Sequence, residues 1–226
     1  MERVIQLTAD GSHTIAIPAM HVTYHSVYGA IQESMHVFIE SGLKPLLHNY
    51  QTIHIFEMGF GTGLNALLSL QHAMQNDQKI YYYAVELFPL GPHEYTSLNY
   101  TSQLQNNLLQ PYFIWMHKSA WEKDTIIHQL FTLHKTHQSF LNLSAHQPFN
   151  LVYFDAFAPD AQPELWAQEV FEKIFHLLAE NGTLVTYCSK GYVCRAMIAA
   201  GFMVEKLPGP PGKREMIKAV KIPQRS

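Results

Sequence analysis

The chain has 226 residues, 47% hydrophobic and 15% charged, with a formal net charge of −3. That supplies one full core and lacks the positive charge of a protein held mainly by nucleic-acid phosphates. Two cysteines, Cys188 and Cys194, exclude a disulfide framework. The opening MERVIQLTADGSH has no apolar signal core, and no run approaches the ~18 apolar residues of a membrane span, so a cytoplasmic protein with no membrane partner is expected.

DGSHTIAIPAMHVTYHS alternates polar and apolar residues across a proline and reads as a short β-hairpin. GAIQESMHVFIESGL follows with Ile31, Met35, Phe38 and Ile39 at helical spacing, and Gly42 reads as its C-cap. From Ile53 the pattern becomes strand–helix alternation. The expected strands are 53–58, 80–86, 112–117 (YFIWMH), 151–155 and 182–188. Helices are expected from about Leu64, over 92–106, near 120–137, from Pro163 to about Leu178, and near 191–200. FMVEKL (202–207) and EMIKAVKI (215–222) would close the sheet as a pair. Alternation of this kind predicts a mainly parallel sheet with helices on both faces. Residues 1–50 are expected to form a hairpin-and-helix extension, and 51–226 the core.

In open parallel sheets, ligands sit at the carboxyl ends of the strands. The first core strand ends in EMGFGTGLN, which carries Glu57, Gly59, Gly61, Thr62, Gly63 and Asn65. Glycines there permit a tight turn and a close approach of backbone N–H groups to a ligand. The spacing is GxGxG, and Leu64 stands where the dinucleotide fingerprint requires a small residue, so a nucleoside ligand other than NAD is indicated. The second strand ends at Glu86, placed to accept hydrogen bonds from both hydroxyls of a ribose or to cap the next helix. The fourth ends in LVYFDAFAPD: a buried strand, the carboxylate of Asp155, then Phe157 and Pro159.

This order of motifs resembles the class I S-adenosylmethionine (SAM) methyltransferases. The resemblance implies a Rossmann-like, seven-stranded sheet whose last two strands form a hairpin. It also implies that Asp155, Phe157 and Pro159 flank a target nitrogen, with Asp155 reaching the cofactor as well. Together, YHSVYGAIQESMHVFIE, FEMGFGTGLN, FDAFAPDAQPELW and AGFMVEKLPGPPGKREM resemble the methyltransferase part of the MnmC family, from about Asp10 to Val220. That family methylates 5-aminomethyl-2-thiouridine at the tRNA wobble position. By this resemblance Glu57, Gly59, Gly61, Thr62, Gly63 and Asn65 would bind SAM at its methionine end, and Glu86 would hold the ribose. Tyr24, Glu33 and His36 would close over the cofactor, with Glu33 binding it and Tyr24 on the substrate side. The adenine contact would fall to His117 or Ser119, at the end of WMHKSAW. The expected partners are a tRNA anticodon stem-loop and a separate enzyme that makes the aminomethyl group. A stand-alone form without the FAD-dependent domain is expected, and no metal: His134 and His137, three apart on an expected helix, are not a zinc site.

Residues 1–189 hold 7 Lys and Arg against 16 Asp and Glu, whereas residues 190–226 hold 8 against 2. The basic segment is either an anion-binding patch or a solvated hairpin. As the first of these, Lys213 and Arg214 of GKREM would contact tRNA. A small-molecule amine N-methyltransferase and a non-catalytic SAM-binding subunit are the alternative readings.

Overall fold

The computed structural model describes residues 2–144 and 148–223. Three short strands come first: β1 (Val4–Leu7), β2 (His13–Ile17) and β3 (Val22–Thr23), paired antiparallel in that order. The hairpin read across Pro18 is β2–β3, with a single turn of 3-10 helix, Pro18–Met20, between them. α1 (Ala30–Ser34) runs straight into a π-helical segment, Met35–Leu43, and a further 3-10 turn, Lys44–Leu46.

Gly42 is therefore interior to the helix and does not cap it. A Cβ at this position would lie 3.1 Å from Val185 Cγ2 and 3.3 Å from Tyr153 Cε1. The missing side chain lets the helix lie close on the sheet, which is a packing use of glycine that resembles a stop signal in sequence.

The core alternates as expected up to α3. β4 (Thr52–Met58), α2 (Leu64–Gln75), β5 (Lys79–Glu86) and α3 (Pro92–Thr96) follow one another, then α4 (Tyr100–Gln103). The expected third strand is instead a helix, α5 (Gln110–Lys118), and the expected helix after it is two strands, β6 (Thr125–His128) and β7 (Phe131–His137). YFIWMH has strand-like composition, but Pro111 starts a helix, and Phe113 and Met116 point inward three residues apart while Trp115 is exposed. FTLHKTH hides its strand character because Lys135 occupies an inward position and is buried. Its Nζ donates to the carbonyls of Met116 (2.7 Å) and His117 (3.0 Å), so this buried lysine caps the end of α5.

β8 (Phe149–Phe154), α6 (Gln168–Leu177), β9 (Leu178–Thr186), α7 (Gly191–Ala199), β10 (Phe202–Pro208) and β11 (Glu215–Lys221) complete the chain. The sheet has eight strands in the order β10-β11-β9-β8-β4-β5-β7-β6. β7, β5, β4, β8 and β9 are parallel, and β10, β11 and β6 complete the sheet through antiparallel pairings. The strand beyond the expected seven is the edge strand β6. Each sheet face has its own apolar layer: Ile53 and Ile55 pack with Leu64 and Leu67 of α2, and Phe56 and Met58 with Phe171 and Ile174 of α6. Among the described residues no helix is long and apolar enough to cross a membrane.

Gly42→Val should destabilise the protein by about 1–3 kcal/mol through overpacking against Val185 and Tyr153. In Gly42→Ala the gain in helix propensity, about 1 kcal/mol, opposes a milder crowding. Urea denaturation of both variants measures this, and a Gly42→Val midpoint at the wild-type value would mean that the helix is free to lift off the sheet.

Candidate active site

β4 is the strand at which the parallel order reverses, with β5 and β7 built out on one side and β8 and β9 on the other. Connections diverge there, so the carboxyl ends of β4, β5 and β8 border a crevice. It is a cleft of about 950 Å³ including its open mouth. Glu57, Gly59, Gly61, Thr62, Asn65, Glu86, Asp155 and Phe157, all expected site residues, line it, as does Tyr24. The glycine turn needs glycine at Gly61, as at Gly63. The φ of Gly61 is +50°, and a Cβ there would lie 3.1 Å from the Tyr24 ring.

Three carboxylates converge on this cleft. Glu86 accepts from the Gly61 backbone N–H (2.8 Å) and the Phe88 N–H (2.7 Å), which ties the end of β5 to the glycine turn and leaves lone pairs for two ligand hydroxyls. Glu57 is buried on β4. Its Oε1 accepts from Asn65 Nδ2 at 2.9 Å, and the same nitrogen donates to Asp155 Oδ2 at 2.9 Å. Burial pushes Glu57 well above the usual carboxylate range. Asp155, just past the end of β8, is pushed up to about 7, first by desolvation and then by the Glu33 carboxylate, against the opposing Asn65 hydrogen bond and Lys213 ammonium. Glu57 Oε2 and Asn65 Oδ1 are buried and make no hydrogen bond at ordinary distance, with the Tyr82 hydroxyl beside Glu57. Two such acceptors beside surplus negative charge suit a ligand cation such as an α-ammonium. The glycine turn suits a carboxylate, Glu86 a ribose, and exposed Leu87, Phe88 and Leu141 an apolar ring. The donor set thus fits SAM.

The residues that follow β3 form one wall. The Tyr24 ring meets Phe157 edge-on, centroids 5.1 Å apart. His25, which the motif reading missed, is buried with Nε2 2.6 Å from Thr62 Oγ1, and desolvation takes its pKa down to about 4, so it is neutral at pH 7. The loop after Asp155 is braced from behind: Trp166 Nε1 donates to the Phe157 carbonyl (2.8 Å) and the Tyr187 hydroxyl to the Ala156 carbonyl (2.8 Å), with Pro159 buried.

Other expected residues lie elsewhere. His117 and Ser119 are not at a strand end. His117 Nε2 meets the Thr62 carbonyl at 3.1 Å behind the glycine turn, and Ser119 Oγ donates to the Met116 carbonyl. The strand that occupies the expected third place is β7, and the residues following it in the cleft are Gln138 and Ser139. Only recognition of β7 as a strand could have pointed to them. Gly63 is the left-handed residue before α2, packed on His117 and Phe60. His36 Nε2 lies 2.8 Å from the Pro208 carbonyl. His134 pairs with Asp124 and His137 contacts the Leu87 carbonyl, on a strand and not a helix. Among the described residues no three His, Cys, Asp or Glu side chains converge as a metal requires.

Four of the eight basic residues of the C-terminal segment are paired in place. Lys190 pairs with Asp160, Lys206 with Glu215, Lys221 with Glu180 and Lys213 with Glu33. Arg214 is exposed, and Arg225 lies outside the described residues.

Residues 104–222 match the sequence model of a family described as S-adenosyl-L-methionine-dependent methyltransferase. The chain is 31% identical over 237 residues to the "tRNA 5-methylaminomethyl-2-thiouridine biosynthesis bifunctional protein MnmC" of Pseudoalteromonas atlantica, which covers 96% of this chain and 33% of that protein. It is 28% identical to the protein of the same name from Burkholderia multivorans, covering 90% of this chain and 33% of the relative. The chain thus spans about a third of the length of the curated relatives it matches. Among solved structures, MnmC2 from Aquifex aeolicus superposes with a TM-score of 0.82 at 23% identity, over 98% of this chain and 71% of that one. Spermidine synthase from Thermotoga maritima shares the fold at a TM-score of 0.56 and 12% identity, over 97% and 69%. With a glycine turn, a ribose-competent acid and a strand-end carboxylate in one switch-point cleft, the chain belongs to the S-adenosyl-L-methionine-dependent methyltransferase family.

Proposed function

We propose that the protein transfers a methyl group from SAM to the exocyclic amine of 5-aminomethyl-2-thiouridine at the tRNA wobble position, giving 5-methylaminomethyl-2-thiouridine. The observation that carries this reading is Asp155, a carboxylate held by Asn65 in the same cleft as the glycine turn and Glu86, with the Phe157 ring beside it. The MnmC relatives, whose name states that biosynthesis, align along 90% or more of the chain and support the choice of substrate.

The nucleophile must be a neutral amine with its lone pair free. For an alkyl amine of pKa ~10.4, deprotonation at pH 7 costs roughly 4–5 kcal/mol. The desolvated cleft lowers that cost by disfavouring the ammonium. When bound, SAM supplies an electrophilic methyl group on a sulfonium sulfur, which leaves with its electron pair. Asp155 accepts an N–H from the amine and aims the nitrogen, and it stabilises the charge that develops there. With a pKa of about 7 it can also take the released proton and return it to solvent. Phe157 and Tyr24 supply an apolar wall against the base. Alignment of the two reactants supplies much of the rate.

A wobble base must leave the anticodon loop to reach this cleft, and unstacked loop bases are the usual targets of RNA recognition. Arg214, exposed beside Lys213 in the loop before β11, is assigned the phosphate contact. The aminomethyl group would come from a separate enzyme activity, and a tRNA substrate places the protein in the cytoplasm.

Incubation with labelled SAM and tRNA lacking the modification should yield labelled 5-methylaminomethyl-2-thiouridine on nucleoside analysis. Label in free amines but not in tRNA would overturn the reading. Asp155→Asn should lower kcat/KM by about 100-fold or more while SAM affinity by calorimetry stays within about threefold, and the wild-type rate should rise with pH through about 7. Stability should show the opposite sign. The folded chain holds the Asp155 proton up to about 7 and the unfolded chain only to about 3.8, so the stability this proton contributes declines as pH rises across that window. Relative to wild type, Asp155→Asn should therefore be about 1–3 kcal/mol more stable at pH 8 than at pH 4. Arg214→Ala should raise the tRNA KM and reduce the salt slope by about one unit. An unchanged slope would remove Arg214 from the interface.

A further inference from the structure

We infer that Lys213 is a positioning residue of the methyl-transfer site: its ammonium, clamped between Glu33 and the Tyr187 ring, braces the loop after Asp155 and supplies a positive charge behind that carboxylate. The inference deepens the amine-methylation reading and rests on it.

Lys213 sits in the loop between β10 and β11. Its Nζ pairs with Glu33 Oε2 and lies 3.9 Å from the centroid of the Tyr187 ring. Glu33 is 4% exposed, and its other oxygen is already held by the Ser26 backbone N–H at 2.9 Å. The Tyr187 hydroxyl donates to the carbonyl of Ala156, the residue next to Asp155. One lysine thus joins three separate segments behind the reacting carboxylate: the start of α1, the exit of β9 and the tip of β8. A lysine evolved for phosphate would present its ammonium to solvent. Here the ammonium is turned inward onto a buried acid, where a partner's removal costs far more than at a surface.

The charge also has a chemical consequence. Asp155 is neighboured by Glu33 from α1, Glu57 from β4, Lys213 from the hairpin loop and the buried Tyr82, Tyr100 and Tyr187, with His25 beside Glu33 and Lys213. His25 is neutral at pH 7 and Tyr187 is raised by burial, so Lys213 is the cation of this group. It favours the ionised form of Asp155, which Glu33 and desolvation oppose. It likewise disfavours a substrate ammonium and so favours the neutral amine. The loop has other anchors that would survive its loss, in the His36–Pro208 contact and in Tyr28, whose ring lies against Gly212.

The test uses Lys213→Met, Lys213→Arg and the double variant Glu33→Gln/Lys213→Met, with thermal melts of each. Lys213→Met should lower kcat at least tenfold at pH 7 and move the acid limb of the pH–rate profile up by about one pH unit. The KM values for SAM and tRNA should stay within about twofold, and Lys213→Arg should restore the limb. In the double variant, where the acid that raises Asp155 is also gone, the limb should return to or below its wild-type position. A 13C carboxylate titration of Asp155, assigned with Asp155→Asn, reads the same shift with no substrate present. An unmoved Asp155 midpoint in Lys213→Met overturns the inference, whatever happens to turnover. A raised tRNA KM with a flatter salt slope would instead make Lys213 a phosphate contact. If wild-type protein methylates no tRNA, the substrate reading fails, and the carboxylate titration still decides the role of Lys213.

Discussion

One side-chain amide stands between two carboxylates that would otherwise repel each other in a partly dry cleft. Asn65 Nδ2 donates to both Glu57 and Asp155, and each acid comes from a different strand. Their separation depends on β4 and β8 being neighbours at the reversal of strand order, and on α2 starting one residue after Gly63. Like charges this close raise one another's pKa, and desolvation acts in the same direction. The site therefore holds acids that are hard to ionise and acceptors with no hydrogen bond at ordinary distance, an arrangement that a bound cation relieves.

The rest of the cleft is assembled around that pair by parts distant in sequence. The residues that follow β3 contribute Tyr24 against Phe157 and His25 against Thr62, so the segment before the core is a wall of the site. From behind, α5 supports the glycine turn through His117 and the Thr62 carbonyl, and α5 is itself capped by Lys135 from β7. His117 is stacked on Tyr95 and held neutral, its pKa down at about 3 through burial. The turn is thus held by two neutral imidazoles, His25 and His117, and by the Glu86 carboxylate at the Gly61 N–H.

Charge asymmetry along the chain has a structural use that differs from its appearance. The acidic body and basic C-terminal segment meet through Lys190–Asp160, Lys221–Glu180 and Lys213–Glu33. The first is exposed and contributes little by itself. The last is buried at its acidic end and acts on Asp155 from behind the cleft, so it has the greatest consequence for the site. An excess of +6 counted over a segment becomes, after folding, a few free cations and a set of fastenings.

The fold class and much of the cleft were legible in the sequence because the relevant signals are local. Strand–helix alternation, the glycine turn after β4, the acid ending β5 and the acid ending β8 each lie within a few residues, and switch-point geometry says where such ends gather. Three features were not legible. YFIWMH and FTLHKTH exchanged roles because composition favoured the wrong periods and a buried lysine disguised a strand. Gly42 read as a stop signal because the side chains that occupy the space it leaves, Val185 and Tyr153, are 143 and 111 residues away in sequence. Lys213 read as a phosphate contact because net charge cannot show where an ammonium points. In sequence, then, this protein settled its alternation of elements and the chemical identity of its strand ends. Tertiary structure decided which polar groups face one another, because pairing and desolvation depend on distances between segments that no local pattern records.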